Sequence, residues 1–430
     1  MSATIPVTIL SGSLGAGKTT LVNHLLSTAD DNIAVLVNDM GEINVDAALV
    51  AEGSELDIDD GVTELSNGCI CCELQDDLET AVVRLARERS FDHLVVESSG
   101  ISEPAPVARL FTTESRVAAL YDVDALVTVL DTRRFLDCFG GKSVPERRGS
   151  ETDRPLSDLL VDQVEVSNLV LLNKADQCTD AELTEAEALV GALQPDAETV
   201  RTEFSVIDSD RLLGTGLFEK RAVADLPGWK RALEAAEDHH NDHGDYDHDG
   251  HDHDRHGHEH DRHEHDDHEH DSHDHDHYHP DEVYGISSFT YRRRRPFHPE
   301  RFAAFLQSLP PTIVRAKGTA WIAGTEIRVS VSQAGPSVRA TGQGPWIASL
   351  PDVDREMYRS NRPNLTWHEE HGDRLSELVF IGTEYDEGEL RAGLSNALLT
   401  DQEQTDFDHD NPAERRFPTE TGGEVVVRTP

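Results

Sequence analysis

The chain has 430 residues, enough for two or three domains, and carries a formal net charge of -45 because 83 acidic residues face only 38 basic ones. Nucleic acids and anionic membranes repel such a chain, so both are excluded as partners. The first ten residues lack a basic start and lead directly into a glycine-rich loop, which predicts a first strand and not a signal peptide. No apolar run approaches bilayer length, so a cytoplasmic protein is expected. The acidic surplus is also typical of proteins from salt-loving organisms.

Short apolar runs alternate with amphipathic stretches between residues 5 and 225. Nearly continuous apolar runs predict strands buried on both faces of a parallel sheet, and the intervening stretches predict helices. Strands are expected at 7–10, 33–37, 94–96, 126–130 and 169–172, and helices at 20–27 and 75–89. The pattern predicts an α/β fold, a doubly wound parallel sheet of the P-loop NTPase type, over residues 1–230.

Residues 231–282 form a linker dominated by histidine and acidic residues. Positions 237–282 hold 17 histidines, 19 acidic residues and 2 arginines, which gives this stretch a charge of -17. It has no apolar periodicity, so it predicts disorder. Its neutral imidazoles predict weak binding of divalent metals at many places, and no single histidine can be nominated.

Ordinary composition resumes after the linker and predicts a smaller α+β domain over 283–400. Strands are expected at 289–291, 312–315, 319–322, 327–331 and 377–381, and helices at 299–309 and 387–399. The basic run 292–295 predicts an ion-paired strand face. Residues 401–430 are polar and predict a frayed tail.

A complete Walker A pattern lies between the first predicted strand and the first predicted helix. Its glycines allow backbone N–H groups to face phosphates, Lys18 supplies positive charge to the β- and γ-phosphates, and the Thr19 hydroxyl can ligate Mg²⁺. The residues predicted to bind the nucleotide here are Gly12, Gly15, Ala16, Gly17, Lys18, Thr19 and Thr20.

The sequence Asn173-Lys174-Ala175-Asp176 follows the strand at 169–172 and matches the guanine-reading signature of GTPases. A carboxylate at Asp176 can accept two hydrogen bonds from the guanine ring N–H and amino group, which adenine does not offer together. GTP is therefore the predicted nucleotide, and a small-molecule P-loop kinase using ATP is the disfavoured alternative.

Acidic residues after two further strands predict the catalytic side of the site. Glu97 ends a buried strand as a Walker B acid would, and Gly100 lies where a backbone N–H can sense the γ-phosphate. Asp39 and Glu42 follow the strand at 33–37 and are candidates for a switch segment. Lys18, Glu97 and Glu42 are the predicted catalytic residues.

Three of the five cysteines occupy four positions, as Cys69-Ile70-Cys71-Cys72. Thiolates are ligands for Zn²⁺ and other soft or borderline metals, and no second cysteine pair closes a structural zinc site. The fourth ligand is left open between Glu42, a histidine, water and another protein. Cys138 and Cys178 are isolated, and ordinary packing is expected for both.

Taken together, these motifs resemble the CobW family of P-loop GTPases, which is related to the nickel-insertion GTPases for hydrogenase and urease. The resemblance covers most of residues 5–400 and includes Arg294–Pro299 and Val314–Gly318 of the second domain. It implies GTP-dependent delivery of Zn²⁺ to a client metalloprotein, with Co²⁺ or Ni²⁺ as alternative metals. A metal buffer that uses the histidine-rich linker and a cobalt-handling GTPase serving cobalamin synthesis remain alternatives, and a GTP- or metal-dependent homodimer is left open.

Overall fold

The computed structural model describes residues 4–29, 32–39, 62–66, 74–101, 103–112, 116–139, 155–218, 286–362, 365–406 and 416–429. No helix in these ranges is long and apolar enough to cross a membrane.

Seven parallel strands form the sheet of the first domain. They are β1 (Ile5–Ser11), β2 (Ile33–Asp39), β3 (Val62–Ser66), β4 (His93–Glu97), β5 (Tyr121–Asp131), β6 (Leu169–Asn173) and β7 (Glu198–Arg201). The order across the sheet is β3-β2-β4-β1-β5-β6-β7, so the chain crosses over repeatedly. Strands β4 and β6 are buried along their whole length, as their continuous apolar runs predict.

The helices of this domain pack on both faces of the sheet. They are α1 (Lys18–Thr28), α2 (Leu74–Glu88), α3 (Pro104–Thr112), α4 (Thr132–Phe139), α5 (Leu156–Glu165) and α6 (Asp180–Leu193). Alternate residues of β1 face opposite sides, with Val7 in a core formed with α2 and α3 and Leu10 in a core formed with α1. The predicted doubly wound α/β fold is confirmed.

A six-stranded antiparallel sheet forms the second domain. Its strands are β8 (Ile286–Arg293), β9 (Ile313–Ala320), β10 (Ile327–Ala334), β11 (Ser337–Pro345), β12 (Ser376–Thr383) and β13 (Glu424–Arg428), in the order β13-β11-β10-β9-β12-β8. Its helices are α7 (Pro299–Gln307), α8 (Asp352–Ser360), α9 (Glu387–Ala397) and α10 (Asp401–Asp406). One face packs on α7 and α9 through residues such as Phe302 and Leu394, which confirms the predicted α+β architecture.

The structure differs from the prediction in several parts of this domain, since β11 and α8 were not predicted. The predicted strands 312–315 and 319–322 are one strand, β9, because Gly318 at φ 152° lets it run against Glu377, whose carbonyl oxygen would be 2.0 Å from an added Cβ. The predicted polar tail 401–430 contains α10 and also β13, which pairs with β11 and thereby extends the sheet. The basic run is paired as expected, with Arg292 on Glu377 and Arg295 on Asp401.

The two domains share a core and a buried ion pair. Cys138 and Phe139 of α4 lie in one hydrophobic cluster with Val314 and Val379 of the second sheet. Beside this cluster, the Arg315 Nε donates to Glu165 Oε1 at 2.7 Å, and the two side chains are only 1% and 3% exposed. The interface therefore combines apolar packing with a charge pair removed from water.

Candidate functional site

The phosphate loop turns between β1 and α1 at residues where only glycine fits. Gly12 has φ 144° and an added Cβ would lie 2.3 Å from the Val129 carbonyl oxygen, while Gly17 has φ 115° and its Cβ would lie 2.4 Å from Asn173 Nδ2. Gly15 also has a positive φ, of 76°, and Ala16 is fully buried. No side chain caps the start of α1, and an uncapped helix N-terminus is suited to binding an anion.

Lys18 lies across this loop. Its side chain is 6% exposed, and Nζ donates to the Gly12 carbonyl oxygen at 3.0 Å and to the Ser13 carbonyl oxygen at 3.5 Å. The ammonium is thus held at the loop that its motif assigns to phosphates. Thr20, one residue beyond Thr19, is exposed on the first turn of α1.

Thr19 and Glu97 meet at the carboxyl ends of β1 and β4. The Thr19 hydroxyl donates to Glu97 Oε1 at 3.2 Å, and Glu97 is 2% exposed. Two oxygens bound side by side to an octahedral Mg²⁺ lie about 3.0 Å apart, so this spacing fits that ion. Mg²⁺ bound here would neutralise phosphate charge.

Gly100 packs directly against the phosphate loop. A Cβ on Gly100 would lie 2.8 Å from both the Leu14 backbone nitrogen and Leu14 Cγ. Ser98 holds this segment in place, because its backbone N–H and its hydroxyl both donate to the Leu10 carbonyl oxygen, at 2.8 and 3.0 Å. The loop after β4 is therefore anchored to β1 and packed against the phosphate loop.

Asn173 at the end of β6 connects the guanine signature to the phosphate loop. Its Nδ2 donates to the Ala16 carbonyl oxygen and to Ser205 Oγ, each at 2.8 Å. Its Oδ1 accepts from the Ser205 N–H at 2.8 Å and from the Thr202 hydroxyl at 3.2 Å. Asn173 is 2% exposed, so its role is to fix the neighbouring loops.

Lys174 and Asp176 lie at the outer edge of the same turn. Lys174 has a left-handed backbone with φ 60°, and its Nζ forms an ion pair with Asp131 Oδ2 at 2.7 Å. Asp176 is exposed, so its carboxylate is accessible to a base. The structure brings Gly12–Thr19, Glu97, Gly100 and Asn173–Asp176 to one edge of the sheet.

The loop after β7 belongs to this site, although sequence reasoning missed it. Phe204 and Ser205 both have left-handed backbones, with φ 53° and 56°. Ser205 donates through its hydroxyl to the Gly17 carbonyl oxygen at 3.0 Å, whereas the Phe204 side chain is 71% exposed. A short polar strand, Glu198–Arg201, precedes the loop and gave no apolar signal. The available clue was Phe204, an aromatic residue three positions after the end of this strand.

Helix α4 connects the nucleotide site to the second domain. At its start, the Thr132 hydroxyl donates to the Asn173 carbonyl oxygen at 2.8 Å, and Arg134 Nη1 donates to the Leu14 carbonyl oxygen at 3.0 Å. At its end, the Cys138 carbonyl oxygen would be 3.0 Å from a Cβ on Gly335, in the β10–β11 turn.

The two isolated cysteines are poor metal ligands. Burial, reinforced by Asp137, raises the pKa of the Cys138 thiol to about 12. Burial and nearby acidic groups, Glu182 first, also raise the pKa of Cys178. Because metals bind the thiolate, both residues fit the packing role expected of them. Within the described ranges, no group of three or more His, Cys, Asp or Glu side chains is arranged to hold a metal ion.

The predicted metal ligands Glu42, Cys69, Cys71 and Cys72 lie outside the described residues, as does the linker. The strand ends that lead into them are described. Asp39 pairs with Ser66 in the parallel register of β2 and β3, and Val37 pairs with Glu97. Glu42 follows Asp39 by three residues, and Cys69 follows Ser66 by three residues.

Family models match both domains of the chain. The CobW/HypB/UreG nucleotide-binding domain matches residues 6–201, and the cobalamin synthesis protein CobW C-terminal domain matches residues 286–398. The chain belongs to the CobW/HypB/UreG family of nucleotide-binding proteins.

Individual relatives cover most of its length. The chain is 35% identical over 429 residues to zinc-regulated GTPase metalloprotein activator 1 of Dictyostelium discoideum. The aligned region covers 93% of this chain and 81% of that protein. It is 31% identical to the zinc chaperone CobW of a Sinorhizobium species, over 56% of this chain and 71% of that protein. A solved structure of the Zn(II)-bound YjiA GTPase from E. coli is 20% identical, covers 92% of this chain and 99% of that chain, and has a TM-score of 0.36.

Proposed function

We propose that this protein is a GTPase that binds Zn²⁺ and transfers it to a client metalloprotein. The observation that carries the proposal is the register of three neighbouring strands. Asp39 and Ser66 lie on paired strands about 4.8 Å apart, so the segments that begin there start side by side. Three residues span at most about 10 Å, so the chain length on each side allows Glu42 and Cys69 to meet.

The metal site we propose consists of Cys69, Cys71 and Cys72 with Glu42 as the fourth ligand. Three thiolates leave a tetrahedral Zn²⁺ one ligand short, and a carboxylate is an accepted zinc ligand. A weakly held fourth ligand suits transfer, because a client ligand can replace it. Zinc-regulated and zinc-chaperone relatives support Zn²⁺ as the cargo.

Coupling to the nucleotide follows from the next strand in the sheet. Val37 of β2 pairs with Glu97 of β4, and Glu97 contacts Thr19. The segment that follows Asp39 and carries Glu42 therefore begins at the end of β2. This strand is the neighbour of β4, whose Glu97 lies at the Mg²⁺ position. Ordering of this segment by the γ-phosphate moves Glu42 and changes zinc affinity between the GTP and GDP states. By linkage, zinc must change GTP affinity by the same factor.

Zinc titrations in each nucleotide state test this coupling. We expect zinc affinity to differ at least fivefold between a non-hydrolysable GTP analogue and GDP, and Cys71→Ser to weaken binding in both states. Cys178→Ser is the matched control, because that thiol is partly buried and its pKa is raised. Equal zinc affinity in the two nucleotide states would exclude the coupled mechanism.

GTP is the nucleotide that Asp176 favours. Its exposed carboxylate at the rim of the site can accept two hydrogen bonds from guanine. Competition between GTP and ATP separates this function from that of a P-loop kinase, and Asp176→Asn is expected to reduce the preference for GTP by at least tenfold.

Storage in the linker is the second candidate function, since 17 histidines lie between 237 and 282. Deleting 237–282 separates the two: loss of zinc capacity with tight binding intact supports delivery, whereas loss of tight binding supports storage. Metal analysis of protein purified in native salt tests Co²⁺ and Ni²⁺ as alternative cargo.

We also place the protein in the cytoplasm of a salt-loving organism. Its unfolding midpoint should then rise between about 0.1 and about 2 M KCl.

A further inference from the structure

A groove of about 490 Å³ runs along the second half of α2, remote from the nucleotide site. Arg84, Arg87 and Arg116 line it together with Glu79 and Glu88. Arg84 pairs with Glu88 at 2.8 Å on an open surface, where both side chains are more than half exposed. Arg87 and Arg116 pair with no acidic residue in the described part of the chain.

Two unpaired arginines in one groove are informative in this chain. Acidic residues outnumber basic ones by 83 to 38, and most arginines of the second domain pair with a carboxylate. Arg87 and Arg116 converge without such a partner. With three arginines against two glutamates, the lining has a small positive net charge in an otherwise anionic molecule, which favours an anionic, carboxylate-rich occupant.

We infer that the occupant is this chain's own acidic histidine-rich segment, residues 237–282. That segment carries 19 acidic residues against 2 arginines, hence -17, and spaces them densely enough to meet the two arginines together. No other stretch of comparable length in the chain carries so large a negative charge.

The tether of this segment starts close to the groove. Phe218, the last described residue before the segment, is buried in the same core as Leu78, Val82 and Leu85 of α2 and Val117, the neighbour of Arg116. Position 237 follows Phe218 by 19 residues, and a chain of that length reaches at most about 60 Å. The segment is therefore present at the groove at a high effective concentration.

The position of the groove indicates a function for this contact in metal delivery, and this part of the inference rests on the proposed function. Helix α2 starts at Leu74, two residues after Cys72. Arg84 lies about 15 Å along the helix from Leu74. A docked segment of 46 residues can hold its carboxylates in the groove and extend its histidines to the cysteine loop. Each Zn²⁺ that binds the segment adds two positive charges, so loading weakens the contact and releases the loaded segment.

Photo-cross-linking in the full-length chain tests the docking. Thr80, an exposed lining residue, is replaced by the photo-cross-linking amino acid p-benzoylphenylalanine, and cross-linked peptides are identified by mass spectrometry. We expect intramolecular cross-links to peptides from 237–282. Changing Arg87→Glu and Arg116→Glu together should lower their yield roughly tenfold, whereas Arg87→Lys with Arg116→Lys should largely retain it. Arg355→Glu on α8 is a control outside the groove.

Several outcomes would overturn the inference: cross-links confined to other segments, cross-links between two copies of the chain, or a yield that the glutamate changes leave unaltered. Addition of Zn²⁺ should lower the yield, and an unchanged yield would refute release on loading. The cross-link needs neither GTP nor the cysteines. Absence of the cross-link would therefore not contradict zinc binding at Cys69–Cys72. Loss of zinc binding in Cys71→Ser would likewise not contradict the docking.

Discussion

The buried pair between Glu165 and Arg315 allows a stability prediction with a worked magnitude. Arg315 donates to Glu165 through Nε at 2.7 Å and through Nη2 at 3.2 Å, and its Nη1 donates to Ser332 Oγ at 2.9 Å and to the Gln333 carbonyl oxygen at 3.1 Å. Replacing Glu165 by Ala leaves the guanidinium in the interface with neutral acceptors only, apart from Asp162 at 3.7 Å.

Removing one partner of a buried pair costs about 3–5 kcal/mol. Asp162 is 21% exposed and retains part of the attraction, so the lower end of that range applies. We expect Glu165→Ala to reduce the free energy of unfolding by about 3 kcal/mol and, since the two domains share one core, the melting temperature by roughly 5 °C. Urea unfolding followed by circular dichroism, with the slope unchanged from wild type, measures the difference.

Two variants calibrate this experiment. Glu198→Ala removes the partner of Arg211 in a pair whose side chains are nearly half exposed, and it should cost below about 0.5 kcal/mol. Glu165→Leu combined with Arg315→Met should recover most of the loss, because it leaves no buried charge alone. A cost below about 1 kcal/mol for Glu165→Ala would refute the reasoning that this pair is desolvated.

Four further predictions concern the nucleotide site and the pH dependence of stability. Asn173→Ala removes four buried hydrogen bonds between loops, so the Kd for GTP should rise about 100-fold by fluorescence titration; a change below threefold would contradict its positioning role. Phe204→Ala should raise the Kd for GTP and for ATP by a similar factor of about ten if its exposed ring covers the base; an unchanged Kd would exclude that contact. Gly100→Ala should slow GTP hydrolysis at least tenfold because its Cβ meets the Leu14 backbone, whereas Gly191→Ala, in open space on α6, should not; equal effects would exclude the clash. Burial, with Arg294 and Arg374 nearby, lowers the pKa of His371 below its ordinary value, so its stabilising contribution is present above about pH 6.5 and is lost as the pH falls. His371→Asn should flatten the decline of the urea midpoint below pH 6.5, and an unchanged decline would assign it to other groups.

The nucleotide site was predictable because its chemistry is local in the sequence. A phosphate loop needs glycines at fixed spacing, and Gly12 and Gly17 occupy positions where a Cβ would collide with neighbouring backbone or side-chain atoms. Asn173 was identified by its four-residue motif, although its observed contacts are to loops and not to a base.

Most of the missed features depend on tertiary structure. β7 is short and polar, so it is formed by pairing with a neighbour and not by its own apolar pattern. β13 has a local signal in Val425–Val427, but the end segment around it is polar and the prediction overlooked it. The contact of Ser205 with Gly17 joins residues 188 positions apart. The pairing of Glu165 with Arg315 spans 150 positions, and neither residue has a local signal for burial.

The shared core between the domains has a consequence for how the protein tolerates change. Phe139 and Val314 lie in one cluster although they come from opposite sides of the linker. The domains are therefore held by packing and not by covalent continuity between 218 and 286, so they should unfold in one cooperative transition. A protease cut within 219–285 should leave them associated. We expect insertions, deletions and changes in histidine content there to leave the nucleotide site and its partner sheet unaltered, so this stretch can change in evolution independently of the rest of the chain.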